Sequence, residues 1–161
     1  MTDEERNQIV WSIREKARIL YEGREVAHRS CGIALAEAFN LPTRPYQALR
    51  RGGISGEGFC GAVIAGQLIL GEYLGYPDPT APVSLQLREA MTLFNREMGR
   101  RLDRGGSPTL LCNDLVKRFA IFHTDERTDF CTGIVALVAE VVAQVLLHYE
   151  IQIEATPMQG A

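Results

Sequence analysis

Apolar residues recur at spacings of three and four over most of this chain, which is the pattern of helices with one buried face. The first such run comprises Ile9, Val10, Ile13, Ala17 and Leu20. Acidic residues follow Thr2, and negative charge at a helix N-terminus is favourable because it meets the positive end of the helix dipole. The pattern therefore predicts a first helix that begins near Thr2 and ends near Gly23.

The next apolar stretches are bounded by residues that start or stop helices. The second predicted helix follows Ser30 and ends before Pro42, because the residue that precedes a proline disfavours helical backbone angles. A short third helix is predicted over 46–51. The fourth runs over 60–74, where small apolar residues and the absence of proline indicate a buried helix.

Three further helix starts are predicted from capping residues. Ser84 caps a fifth helix that runs to about Leu102. Ser107 followed by Pro108 predicts another helix, because proline is favoured at the first helical position. The pair Thr128-Asp129 caps a last helix that ends past Tyr149 and carries Cys131 in its first turn.

The length and the absence of a strand pattern predict one all-α domain. A chain of 161 residues is the size of a single domain with a real core. No stretch alternates apolar and polar residues long enough to require a sheet. We expect residues 1–161 to form a compact helical bundle of about six helices, with a glycine-rich loop before the central helix.

That loop joins the buried fourth helix at Cys60. It contains Gly52, Gly53, Gly56 and Gly58. Glycines permit positive φ and close backbone approach, so the loop is suited to wrap a small group. A cysteine at a helix N-terminus lies near free N–H groups and the positive end of the dipole, which favours its thiolate. The junction therefore predicts metal, sulfur or electron chemistry.

The chain has four cysteines, Cys31, Cys60, Cys112 and Cys131, and no two of them form a C-x-x-C pair. This spacing excludes zinc ribbons, ferredoxin runs, thioredoxin-like motifs and covalently attached haem. Each cysteine falls on a different predicted helix, and Cys31, Cys60 and Cys131 fall at predicted N-termini. Two interpretations remain open: scattered cysteines that fill the core, or one site built from facing helices.

Charge and hydropathy limit the location and the partners. The net charge of −3, without a large basic cluster, argues against nucleic-acid binding. The polar, acidic start is unlike a targeting peptide, so we expect a cytoplasmic protein with reduced thiols. Glu140, Gln144 and His148 interrupt the most apolar segment on one helical stripe, which argues against membrane insertion. The same segment is apolar on its other sides, which predicts a homodimer.

The sequences around the cysteines resemble a known family. They are S-C-G-I-A-L-A-E-A-F, F-C-G-A-V-I-A-G, L-L-C-N-D-L-V and F-C-T-G-I-V-A-L-V-A-E. They look like the redox-active proteins named for a C, GCAxxG, C, C pattern, over about 27–142, with all four cysteines aligned in order. Ala65 stands where the last glycine of the central signature is expected. In the order of the family's name the fit is poorer, since Phe59 precedes the central cysteine and Gly61 follows it.

The resemblance implies redox or metal chemistry. The same kind of domain is similar to the N-terminal part of split-Soret cytochromes, which suggests an iron–sulfur cluster, either 2Fe-2S or 4Fe-4S. The resemblance would make Cys31, Cys60, Cys112 and Cys131 the ligands. Backbone N–H groups of the loop, with Gly58 and Gly61 beside the cluster, would stabilise its sulfurs. The expected function is electron transfer to a redox partner protein.

Two alternatives use the same cysteines. In the first, Cys60 is a low-pKa nucleophile of a thiol–disulfide redox protein, and another cysteine resolves the intermediate. In the second, the four thiolates hold a structural zinc ion in an interaction module. No Ser/His/Asp or paired-carboxylate signature is present, so the sequence leaves open whether the chain is an enzyme.

Overall fold

The computed structural model describes residues 1–158, and over that range the chain forms six α-helices, one 3-10 helix and no strand. The all-α prediction is therefore confirmed. The elements are α1 (Asp3–Glu22), α2 (Cys31–Ala38), a 3-10 helix (Arg44–Leu49), α3 (Gly61–Leu74), α4 (Leu85–Arg101), α5 (Cys112–Val116) and α6 (Asp125–His148).

Helix α6 lies at the centre of the bundle and contacts α1, α2, α3 and α4. By length and composition it could cross a membrane, but 67% of its most apolar window is buried inside the protein. Its polar stripe is where the sequence predicts it, since Gln144 and His148 are exposed and Glu140 pairs with Arg14 and Arg101. The central position accounts for the apolar surface that suggested a homodimer, and the oligomeric state itself stays a prediction.

Helix α1 packs along α6 and is fixed at both of its ends. Thr2 and Glu5 form a reciprocal capping box at its start. The Arg6 side chain donates to the Leu147 carbonyl at 2.9 Å, which joins the start of α1 to the last turn of α6. Gly23 ends the helix in the left-handed conformation, with φ 73°. These contacts place Tyr21, in the last turn of α1, against the first turns of α6.

Helix α3 approaches α6 closely because Gly66 has no side chain. A Cβ atom at this position would lie 2.8 Å from Cγ1 of Val138 and 2.9 Å from Cζ of Phe94. Both contacts are shorter than real Cβ contacts, and both partners are buried. Gly66 therefore sets the distance between the central helix and α3, whose first turn reaches the cysteines.

Two predicted helix starts are wrong. Ser107 and Pro108 do not start a helix, because the Ser107 hydroxyl donates to the Thr109 carbonyl in a local turn. The chain then extends and pairs with the loop, where Cys60 N–H donates to the Leu110 carbonyl at 2.8 Å. Helix α5 begins only at Cys112.

The last helix also starts elsewhere than predicted. Thr124 is its N-cap and accepts from the N–H of Arg127, so the cap lies four residues before the predicted cap at Thr128 and the helix begins at Asp125. Cys131 consequently lies in the second turn. Both Thr-Asp pairs in this segment are good caps, and the sequence alone does not distinguish them.

We expect Gly66→Ala to lower the free energy of unfolding by about 1–3 kcal/mol, because the added methyl overpacks the contact with Val138 and Phe94. The matched control is Gly71→Ala on the same helix, where a Cβ meets nothing within 4 Å. That substitution should stabilise the protein by about 0.4–1 kcal/mol. Denaturant unfolding measures both, and equal effects at the two positions would contradict the described packing.

Candidate functional site

The four cysteines line one cavity of about 390 Å³. Cys31 is the first residue of α2, Cys60 is the N-cap of α3, Cys112 is the first residue of α5, and Cys131 lies on α6. Cys31 and Cys60 are at helix starts, as predicted. Cys112 is also at a helix start, which was not predicted, whereas Cys131 is not. The spacing left two interpretations open, namely cysteines scattered through the core or one site built from facing helices. In the structure the four cysteines lie around one cavity.

The cavity has a solvent-exposed mouth and a buried floor. Arg50, Arg51 and His123 line it and are exposed, so they mark the mouth. Ala62 and Val135 line it and are buried, so they mark the floor together with Cys60. A small molecule entering from solvent would therefore pass cationic side chains before it reaches apolar atoms and sulfur.

The glycine-rich loop holds α5 against the cavity through its backbone. The N–H groups of Cys112 and Asn113 donate to the carbonyls of Gly58 and Gly56, both at 2.9 Å. Gly52 has φ 60°, and a Cβ there would lie 2.5 Å from Cβ of Cys112. Glycine is thus required where the loop meets this cysteine, and the loop fixes the position of Cys112.

The two glycines predicted to lie beside a cofactor have different positions. Gly61 lines the cavity, and a Cβ there would lie 2.8 Å from Sγ of Cys31. Gly58 is not on the cavity wall, and its carbonyl binds the backbone of Cys112. Gly61 therefore lets α3 approach α2 at the cavity, whereas Gly58 connects the loop to α5 through its backbone.

Burial keeps three of the thiols protonated. It raises the pKa of Cys60 to about 12, with the neighbouring Cys31 adding to the effect and the N–H groups of Val63 and Ala62 opposing it. Burial likewise raises the pKa of Cys112 to about 11, and Arg51 and Arg127 oppose that shift. The pKa of Cys31 is raised by the same cause. At neutral pH these three side chains are uncharged thiols.

The expected function is wrong for this structure. Among the residues described, no group of three or more His, Cys, Asp or Glu side chains is placed to hold a metal ion. The thiols surround a cavity rather than converge on one point, so neither the iron–sulfur electron-transfer function nor the four-cysteine zinc site has a ligand set. The expected redox partner depended on that cluster and stays untested.

The thiol–disulfide alternative fails at Cys60. All four cysteines are free. The sequence predicts a low pKa for Cys60 from its place at a helix N-terminus, but the structure shows a raised one, because the loss of hydration outweighs the nearby backbone N–H groups. A buried protonated thiol is a poor nucleophile. Helix α3 begins where the sequence predicts it. The pKa of Cys60 is raised rather than lowered because the side chain is buried.

Sequence reasoning missed an arginine on the cavity wall. Arg127 is 8% exposed and donates from Nε to the Phe122 carbonyl and from Nη1 to the Tyr21 hydroxyl, both at 2.7 Å. Its guanidinium carbon lies 4.0 Å from the centre of the Phe122 ring. A signal was present, because a cation in the first turn of a helix opposes the dipole and needs another reason to be there.

Arg51 reaches the same ring from the glycine-rich loop. Its guanidinium carbon lies 4.6 Å from the Phe122 ring centre, and Nη2 lies 3.4 Å from Oδ1 of Asn113. Arg51 and Arg127 both line the cavity. Two cations from distant parts of the chain therefore contact one aromatic side chain at the cavity wall.

No protein-family model, no curated protein and no solved structure matches this chain. The resemblance to the cysteine-pattern family stays a prediction. The geometry of the cavity is therefore the basis of the function proposed below.

We expect alkaline pH to destabilise the protein through Cys60. Its pKa is near 12 when folded against 9.0 ordinarily, so above about pH 9 the folded state holds a proton that the unfolded chain has lost. Stability is fully present below pH 9 and is lost as pH rises toward 12. Cys60→Ala should reduce this loss, and Cys112→Ala should reduce it less because its folded pKa is about 11. Urea unfolding across this range measures it, and equal slopes in wild type and Cys60→Ala would contradict the assignment.

We expect Gly52→Ala to destabilise the protein more than Gly53→Ala. Both residues have positive φ, so each substitution costs about 1–2 kcal/mol of backbone strain. Only the Cβ at Gly52 meets Cys112, which adds about 1–3 kcal/mol of overpacking, whereas nothing lies within 4 Å of a Cβ at Gly53. Gly52→Ala should also speed alkylation of Cys112 in the folded protein. Identical unfolding free energies for the two variants would show that the loop does not pack on this cysteine.

Proposed function

We propose that this chain binds a small molecule in the four-cysteine cavity. The observation that carries the proposal is a cavity of about 390 Å³ bounded by α1, α2, α3, α5, α6 and the glycine-rich loop. Ligand-binding cavities in proteins fall in the range of about 300–1,000 Å³ and combine mostly apolar walls with a few polar groups. This cavity has both features.

The packing elsewhere in the protein supports a functional cavity rather than a packing defect. Small residues such as Gly66 and Ala65 bring α3 into close contact with its neighbours, and the core around α6 is fully buried. An apolar wall that stays in contact with water is unfavourable, because its apolar area is not removed from solvent. A ligand with an apolar body that fills this cavity would cover that area.

The thiols give the cavity a soft, uncharged wall. A protonated cysteine is a small, polarizable, mostly apolar side chain with a weak S–H donor. Because burial holds Cys31, Cys60 and Cys112 in this form, they suit an apolar ligand body rather than a cation. A cytoplasmic location, where thiols remain reduced, is part of the proposal.

The proposal predicts that ligand binding protects the cysteines from alkylation. All four thiols lie on the cavity, so a bound molecule blocks iodoacetamide from each of them. We expect compounds found by thermal shift in a library of small aromatic and aliphatic fragments to slow alkylation. At a concentration tenfold above Kd the rate should fall about tenfold, since only free protein reacts.

A cysteine placed on the exposed face of α4 by Thr92→Cys provides the internal control, because its alkylation rate should not change when the ligand binds. Mass spectrometry of tryptic peptides follows each thiol separately. Fragments that raise Tm but leave the cavity cysteines unprotected, or a library without any binder, would show that the cavity is not a ligand site.

A further inference from the structure

Arg127 is a buried cation that has no anionic partner among residues 1–158. It is 8% exposed, and no carboxylate oxygen lies within 4.0 Å of its guanidinium in residues 1–158. Its Nε and Nη1 donate to uncharged oxygens, and Nη2 makes no hydrogen bond in the same range. A buried charge is unfavourable unless an opposite charge accompanies it. The arginine therefore lacks the partner that its burial requires.

The neighbouring groups do not supply that partner. Glu22 is a carboxylate on the cavity wall, but Arg18 and Arg24 hold its two oxygens at 3.0 and 2.8 Å. The Cys112 thiol stays protonated at neutral pH, because burial outweighs the attraction of Arg51 and Arg127 for its thiolate. The Phe122 ring attracts a cation with its π face, but more weakly than an anion does.

Most of the other polar side chains on the cavity wall are cations or hydrogen-bond donors. Arg51, whose one side-chain hydrogen bond in the described range goes to an amide oxygen, lies over the same ring. Arg50, His28 and His123 line the cavity too. Within the described part of the chain, no side-chain hydrogen bond caps the N-termini of α2 and α3, which face the cavity with Cys31 and Cys60. Among the residues that the structure describes, the wall thus presents three arginines, Arg50, Arg51 and Arg127, and its carboxylate, Glu22, is already paired.

We propose that the ligand of this cavity is a small organic oxyanion, with its charged group on Arg127 and Arg51 and its apolar body on the thiols and Val135. The inference rests on the proposed small-molecule function and names the class of ligand. Guanidinium groups bind carboxylates through charge-assisted hydrogen bonds, and Nη2 of Arg127, which makes no hydrogen bond within residues 1–158, can donate one to a ligand in the cavity that Arg127 lines. The floor of Ala62, Val135 and Cys60 matches the apolar body.

Arg127 also has a structural contact, because its Nε anchors the segment between α5 and α6 through the Phe122 carbonyl. An arginine that served only this purpose would not discriminate between ligands by charge. A comparison of compounds that share a shape and differ in charge therefore separates the two roles.

The test uses three pairs of such probes: benzoate and benzamide, cyclohexanecarboxylate and its amide, and butyrate and butyramide. Calorimetry and cysteine protection in low-salt buffer give the affinities, since salt screens ion pairs. For pairs that bind, we expect the wild-type protein to prefer the carboxylate by at least about tenfold, as charge-assisted hydrogen bonds are stronger than neutral ones. In Arg127→Met this ratio should fall to about one.

Arg118→Met is the matched control. Arg118 also stacks on aromatic rings, at 4.8 Å from Phe119 and 4.5 Å from Phe130, and it is exposed and absent from the cavity wall. The substitution removes the same charge from the protein but should leave the carboxylate preference unchanged. If Arg127→Met does not fold, Arg51→Met in the exposed loop replaces it and should lower the ratio several-fold.

The outcomes separate the two proposals. Equal wild-type affinity for carboxylate and amide, or a preference for the amide, would overturn the oxyanion assignment and leave small-molecule binding intact. A preference that survives in the folded Arg127→Met and Arg51→Met variants would overturn it as well. Binding of none of the six compounds, together with a fragment library that yields no binder, would refute the proposed function and this inference with it.

Discussion

The burial of α6 is the constraint on which the rest of the structure depends. This helix is apolar on nearly every side, so it is stable in water only when other helices cover it. Helices α1, α2, α3 and α4 do so, and Gly66 lets α3 come close. The first two turns of α6, which carry Arg127 and Cys131, line the same cavity as the helix starts that carry Cys31 and Cys60. The cavity is a consequence of how the bundle covers its central helix.

Burial has different consequences for the thiols and for the guanidinium of Arg127 in the cavity. A thiol can respond to the loss of water by keeping its proton, and Cys60 and Cys112 do so, with pKa values raised to about 12 and 11. A guanidinium cannot lose its proton in a protein, so Arg127 stays charged. The same low-polarity environment therefore makes the sulfurs neutral and leaves the arginine in need of an anion. This contrast explains why the cavity suits a molecule with an apolar body and a negative end better than a cation.

The glycine-rich loop and the segment that begins with Ser107 and Pro108 show where local sequence signals hold and where tertiary contacts override them. The glycines of the loop indicate close backbone approach, and Gly52 does meet Cys112. The Ser107-Pro108 pair indicates a helix start, yet the residues after it pair with the loop at Phe59 and Cys60. A capping pair contributes only about 1 kcal/mol, so a backbone pairing elsewhere in the fold can override it.

The sequence by itself determined that the chain is helical, where most of its helices begin and end, and that its cysteines belong to different helices, because these features follow from periodicity and capping over a few residues. It did not determine the chemistry of those cysteines. The ionisation of a thiol depends on how much water and which charges surround it, and these come from parts of the chain as distant as Cys60 and Cys131. Only the tertiary structure brought Arg127 and Arg51 to one ring at the cavity wall, since the long-range contacts that place them leave no local pattern in the sequence.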